Sequence, residues 1–123
     1  MEPYIAEFVG TALLLLLGSG VVANVLLDQS KGKDAGWLVI CWAWGIAVFL
    51  GVYTATALGG SGHPNPAVTL GLAAFSDFDT ALVPGYLTAQ FLGAFTGSSL
   101  AWLAYKPHFE VSEDADPVSY THL

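Results

Sequence analysis

Residues 66–75 form an apolar stretch too short to cross a bilayer, set between apolar runs that are long enough. A hydrocarbon core about 30 Å thick needs about 20 helical residues, and this stretch reaches only about 15 Å as helix. It opens inside Gly59-Gly-Ser-Gly-His-Pro-Asn-Pro-Ala-Val-Thr69. Proline at a first helical position is pre-set for the helical φ angle, and an asparagine before it caps free N–H groups. The chain is therefore expected to stop, turn, and start a short helix at Pro66-Ala67. Glycines 59, 60 and 62 suit a chain that dips tightly beside other backbone. Such a segment is either a surface turn or a re-entrant half-helix. Irregular backbone at membrane depth is tolerated only where it is buried in protein or lines a water-filled cavity. A helix N-terminus carries about half a positive charge. In a water-filled passage it repels cations and offers N–H donors to neutral polar solutes.

The flanking runs set the rest of the architecture. Residues 4–27 are long enough to span, with Glu7 near their start; residues 36–58 carry no charge and hold Trp37, Trp42 and Trp44. A third span is expected over 81–105, with Lys106-Pro107 stopping it, and Asp77 and Asp79 marking the return to water before it. Gly85, Ala89, Gly93 and Gly97 recur at every fourth position of that span. Small residues so spaced form one stripe and let another helix approach closely. Gly10, Gly18 and Gly20 in the first span and Gly45 and Gly51 in the second are expected to do the same. The fold expected is an all-α membrane protein: three transmembrane helices plus one re-entrant half-helix over 59–76. Three spans and a half-helix make the kind of unit that inverted-repeat transport proteins use twice, so the chain is read as one repeat without its partner.

Composition agrees with the membrane class. Of the 123 residues 54% are hydrophobic and 11% charged, against about 25% charged in soluble domains. The net charge is −7, but Glu110, Glu113, Asp114 and Asp116 crowd the end, so the body is nearly neutral. With three lysines as the only Lys or Arg, nucleic acid is not an expected partner. The start lacks the basic region of a cleaved signal peptide, so the first run is read as a retained helix. Cys41 has no partner for an internal disulfide and is expected to be a buried structural thiol. His63, His108 and His122 are too scattered for a metal cluster, and no nucleophile–base pair stands out. Neither an enzyme activity nor a cofactor is expected.

Three motifs in order carry a family resemblance: Ala6-Glu-Phe-Val-Gly-Thr11, His63-Pro-Asn-Pro-Ala-Val-Thr69 with Leu70-Gly-Leu-Ala73, and Ala89-Gln-Phe-Leu-Gly-Ala94. On these, residues 4–105 resemble the first half of the major intrinsic proteins, the aquaporins and glycerol facilitators. The resemblance implies six spans and two half-helices meeting at Asn-Pro-Ala, of which this chain supplies one half in residues 1–106. It implies that the Asn65 side-chain amide donates to the permeant, that backbone carbonyls of Gly62, His63 and Pro64 form an acceptor row, and that His63 lies beside the pore. Pro66 and Ala67 start the half-helix. Glu7 and Gln90 support the re-entrant loop from within; without the resemblance, an intramembrane carboxylate reads as a proton-relay candidate. Trp44, in Cys41-Trp-Ala-Trp-Gly45, looks like the filter tryptophan of glycerol facilitators, a flat wall for the carbon edge of a polyol; Trp42, two residues away, points to another face.

The implied function is passive permeation of glycerol or a similar polyol, with water. A water-selective aquaporin is one alternative, and half of an inverted-repeat coupled transporter another; a third is that residues 1–123 alone are inactive. The implied assembly is a homotetramer in the cell membrane, N-terminus in the cytoplasm. Four features depart from the family pattern. Pro64 replaces an aliphatic residue, which stiffens the approach to Asn65. The segment 45–63 is one residue longer than usual. The lysines at 31, 33 and 106 fall on the outer side, against the positive-inside tendency. The second Asn-Pro-Ala and its following arginine are absent. Residues 107–117 are read as the start of an extracytoplasmic loop. Val118-Ser-Tyr-Thr-His-Leu123 resembles translated adapter sequence, and is expected to be a non-native tail on a truncated reading frame.

Overall fold

The computed structural model describes residues 3–112, and all regular structure among them is helical. Helix α1 spans Pro3–Leu26, α2 Trp37–Ala57, α3 Pro66–Phe75 and α4 Val83–Val111, the last preceded by a 3₁₀ turn at Thr80–Leu82. By length and composition α1 and α2 are apolar enough to cross a membrane. α4 is richer in glycine, serine and threonine but is about 43 Å long. α1 lies between α2 and α4 and packs along both, while α3 leans on α4.

Small residues make these seams. Gly10 and Gly51 face each other: a Cβ on Gly10 would sit 2.6 Å from the Gly51 carbonyl oxygen, and one on Gly51 would sit 2.8 Å from that of Gly10. Gly18 receives the Trp44 ring. On α4, Gly85 meets the Tyr4 ring, Gly93 meets the backbone of Phe8 and Ala12, and Gly97 meets the backbone of Ala12; Ala89 is buried in the same row. Two of the expected contact glycines have no such role. Gly45 has nothing within 4 Å, and Gly20 only the edge of Tyr105 at 4.0 Å. Composition alone cannot separate a seam glycine from one turned outward.

α2 is apolar on all sides, and much of it is bare: Leu38, Trp42, Phe49 and Tyr53 are each more than 60% exposed. Cys41 lies on this bare side. The expectation of a buried thiol is therefore corrected: a helix meant for lipid is as apolar outside as inside, so an apolar run does not mark the core. The apolar core forms where Val22, Val25 and Ile40 meet, with Val21, Leu26 and Trp44 packed against them.

The end of α4 also departs from expectation. It does not stop at Lys106-Pro107 but continues to Val111. Proline in a helix forfeits one hydrogen bond and crowds the preceding turn. Tertiary bonds offset that here. His108 Nδ1 donates to the Asp28 carbonyl at 3.0 Å, and the Asp28 N–H donates to Ser112 Oγ at 2.8 Å. Ser112 in turn bonds the His108 carbonyl with both its hydroxyl and its N–H. The last turn is thus clamped to the end of α1. The segment 118–123, expected to be a non-native tail, lies outside the described residues, as does His122.

Candidate functional site

The chain between α2 and α3 is tied down by a buried carboxylate. Glu7 is fully buried in the first third of α1. Its Oε1 accepts from the N–H of Gly62 at 2.8 Å and of His63 at 3.3 Å. Gly62 adopts a left-handed φ of 71°, and such a turn residue lets two successive N–H groups converge on one anionic oxygen. The space beside Gly62 is closed by the Thr56 hydroxyl, so a side chain there meets both strain and collision.

Gln90, from α4, completes the hub. Its Nε2 lies 2.9 Å from the His63 carbonyl, 2.8 Å from Thr69 Oγ1 and 3.4 Å from Glu7 Oε2. Two of these are oxygens that can only accept, the carbonyl and the carboxylate, which fixes the amide orientation. Thr69 Oγ1 also bonds His63 Nδ1 at 2.9 Å and the Asn65 carbonyl at 3.2 Å. The His63 ring is stacked on Tyr86, with ring centroids 5.1 Å apart, and meets the edge of Phe78. Tyr86 reaches the loop again through its hydroxyl, 2.8 Å from Ser61 Oγ. Glu7, Gln90, His63, Thr69 and Tyr86 thus lock the turn from three helices. Thr69 and Tyr86 were not singled out from sequence. Thr69 had a faint signal, since it stands four residues after the Asn65 carbonyl it bonds; Tyr86 had none.

The half-helix starts as its residues dictate. Asn65 is in extended conformation and its Oδ1 accepts from the Ala67 N–H at 2.9 Å, with Pro66 following as first helical residue. The cap uses the carbonyl end of the side chain, which leaves the amide NH₂ as donor. Asn65 is exposed. It opens into a cleft of ≈ 430 Å³, walled by Thr11 and Leu14 of α1, Trp44 and Val48 of α2, and His63 and Gln90. Leu14 and Val48 lie halfway along their helices. The tip of α3 is therefore level with the middle of both candidate spans.

Two expectations about donors and acceptors change. Most backbone N–H groups at this helix start are already engaged, and that of Val68, which borders the cleft, is the one left open among them. Those of Gly62 and His63 go to Glu7, that of Asn65 to the His63 carbonyl, and that of Ala67 to the Asn65 side chain; Pro64 and Pro66 have none. The His63 carbonyl, expected in the acceptor row, is turned inward and accepts from both Gln90 and Asn65. Trp44 stands at the cleft with its ring against Gly18, and its Nε1 is buried with no partner among the described residues.

Comparison with known proteins agrees with this architecture. The family model described as major intrinsic protein matches residues 1–121. A probable glycerol uptake facilitator protein of Thermotoga maritima is 51% identical over 116 residues, which is 94% of this chain and 49% of that protein. A glycerol uptake facilitator protein of Streptococcus pneumoniae is 45% identical over 98% of this chain and 51% of its own length. The crystal structure of the aquaglyceroporin from Plasmodium falciparum superposes with a TM-score of 0.78 at 36% identity, covering 94% of this chain and 45% of that one. The chain spans about half the length of the curated relatives it matches.

Proposed function

The chain belongs to the major intrinsic protein family, and from that premise we propose that it forms one half of a passive channel for glycerol or a related polyol, with water as co-permeant. The observation that carries the reading is the Asn65 side chain. Its oxygen is spent on the helix cap, its NH₂ keeps its donors, and the residue borders the cleft at mid-span. A polyol needs a donor for its hydroxyl oxygens and an apolar wall for its carbon edge; Asn65 supplies the first and Trp44 the second. Selectivity in such pores follows from diameter, lining donors and acceptors, and the positive ends of half-helices. The relatives named as glycerol facilitators support the solute class.

In this reading Glu7 and Gln90 are scaffolding and take no part in proton relay. Glu7 is enclosed by the donors it holds and does not border the cleft. A second, inverted half covers α3, whose Val68, Leu70 and Phe75 are otherwise bare. The assembled protein is a homotetramer in the cell membrane, with the N-terminus in the cytoplasm and residues 107–112 leading into an outer loop. Permeation needs no bond making or breaking by the protein.

Swelling of proteoliposomes holding the protein with its second half tests the proposal. Glycerol should enter well above the rate of empty vesicles, unaffected when proton gradients are collapsed. Fast water flux with glycerol excluded points instead to a water-selective channel. Uptake that requires a gradient points to a coupled transporter.

A further inference from the structure

Building on the channel reading, we infer that Pro64 is a specificity-determining positioning residue: it closes a tight turn that withdraws one donor and one acceptor from the passage, leaving the Asn65 amide and the Val68 N–H to meet the solute. The Asn65 N–H donates to the His63 carbonyl, two residues back. That bond defines a γ-turn centred on Pro64. The inverse γ-turn places its central residue near φ −75°, and proline is fixed near −65°. Proline also confines the residue before it to extended conformations, which holds His63 where Glu7 and Gln90 engage it from either side.

The withdrawal is complete on both groups. A carbonyl oxygen has two lone pairs, and that of His63 accepts from Gln90 and from Asn65. The Asn65 N–H is spent on the same bond. Without the turn, one lone pair and one N–H would be bared beside the Asn65 amide. Pro64 itself is buried and borders the cleft.

Further polar groups lie behind the cleft wall. His63 and Gln90 are 7% and 1% exposed, and both border the cleft. His63 Nε2 and Gln90 Oε1 are buried there with no partner among the described residues. Buried polar atoms are nearly always satisfied by protein or by water. Groups bared at the cleft surface would add to what the Asn65 amide and the Val68 N–H offer there, and would deepen binding. Conduction requires a site weak enough to release what it binds. A polyol with several hydroxyls engages two extra groups at once and lingers, whereas water, with one oxygen, is held less. Pro64 therefore keeps the neck from becoming a trap for the larger solute.

The test uses Pro64→Leu and Pro64→Ala in the protein with its second half, reconstituted in vesicles. The ratio of glycerol to water permeability is read by stopped-flow light scattering, and it does not depend on how many pores folded. The ratio is expected to fall about threefold in both variants as the polyol is held longer. Backbone amide exchange at Asn65 is expected to speed up about tenfold, the loss of one ordinary hydrogen bond, while the amides of Gly62 and His63 stay protected by Glu7. An unchanged ratio, with both permeabilities lowered together, means a merely structural proline and overturns the inference. So does an Asn65 amide as protected as before. Glycerol exclusion by the unaltered protein is a separate result: it sinks the channel reading before any variant is compared, and the exchange measurement still reads the turn.

Discussion

Glu7→Ala is expected to cost about 3 kcal/mol or more of stability and to abolish conduction. The variant strands the N–H groups of Gly62 and His63, both held by Glu7 in the interior, and a buried unsatisfied donor costs about 1–3 kcal/mol. It also frees Gln90, whose Nε2 lies 3.4 Å from the carboxylate. Once the turn loosens, Asn65 loses its station at the cleft, so flux falls with stability. Unfolding in detergent, followed by intrinsic fluorescence and denaturant titration, measures the loss. Glu7→Gln separates geometry from volume. It keeps one oxygen for the two N–H groups but sets an NH₂ against that of Gln90, so its loss should be smaller than that of alanine. A Glu7→Ala variant within about 1 kcal/mol of the parent, less than one ordinary stranded donor, would show that the turn holds itself.

Gly97→Leu carries the second large effect. A Cβ there would meet the Ala12 backbone, 2.9 Å from its carbonyl carbon and 3.0 Å from its Cα, as well as its oxygen. Backbone cannot rotate aside as a side chain can, so α1 and α4 must part. Overpacking costs about 1–3 kcal/mol and sometimes more; about 3 kcal/mol is expected, because separation also opens the contacts at Gly93 and Ala89 in the same row. Gly97→Ala should already cost over about 1 kcal/mol, since the first added carbon makes the collision. Gly45→Ala is the contrasting case. Nothing lies within 4 Å of it, and alanine is favoured over glycine in a helix by about 1 kcal/mol. It should be neutral or slightly stabilising by the same unfolding assay. Equal losses at positions 45 and 97 would remove the argument that the stripe on α4 is a seam.

The parts of this fold that could be read from sequence are those decided by local rules. The lengths of α1 and α2 follow from the width of a bilayer. The start of α3 follows from asparagine and proline chemistry at a helix N-terminus, and Asn65 caps Ala67 with Pro66 beginning the helix. Local rules fail where a distant partner decides. Pro107 reads as a stop, yet Asp28 and Ser112, 84 residues apart, clamp the helix past it. Cys41 reads as core because lipid-facing and protein-facing residues are equally apolar. The site divides in the same way. Glu7 and Gln90 entered through family resemblance; their meeting, 83 residues apart in sequence, has no periodicity or motif to announce it. Tyr86 carries no signal, since a tyrosine in an apolar helix has many uses. The fate of the backbone N–H groups was not legible at all. A helix N-terminus is normally a set of open donors; here Glu7, the His63 carbonyl and the Asn65 side chain take up the N–H groups of Gly62, His63, Asn65 and Ala67 and leave that of Val68.

That closure narrows what the passage can do. With most backbone donors engaged, the positive end of α3 offers a solute in the proposed channel the Asn65 amide, the Val68 N–H and its field. On the channel reading the field repels cations, and each donor gives a hydroxyl one partner at a time. Trp44, from α2, adds surface at the cleft, and its Nε1 is buried without a partner among the described residues.

The account stands on the depth of one residue. An experimental structure of the protein in lipid nanodiscs, with the bilayer density located, measures it directly. Asn65 is expected within about one helical turn (~5.4 Å) of the bilayer midplane, its amide turned toward a water-filled passage. An α3 lying flat among the lipid headgroups, with Asn65 in bulk water, would contradict it.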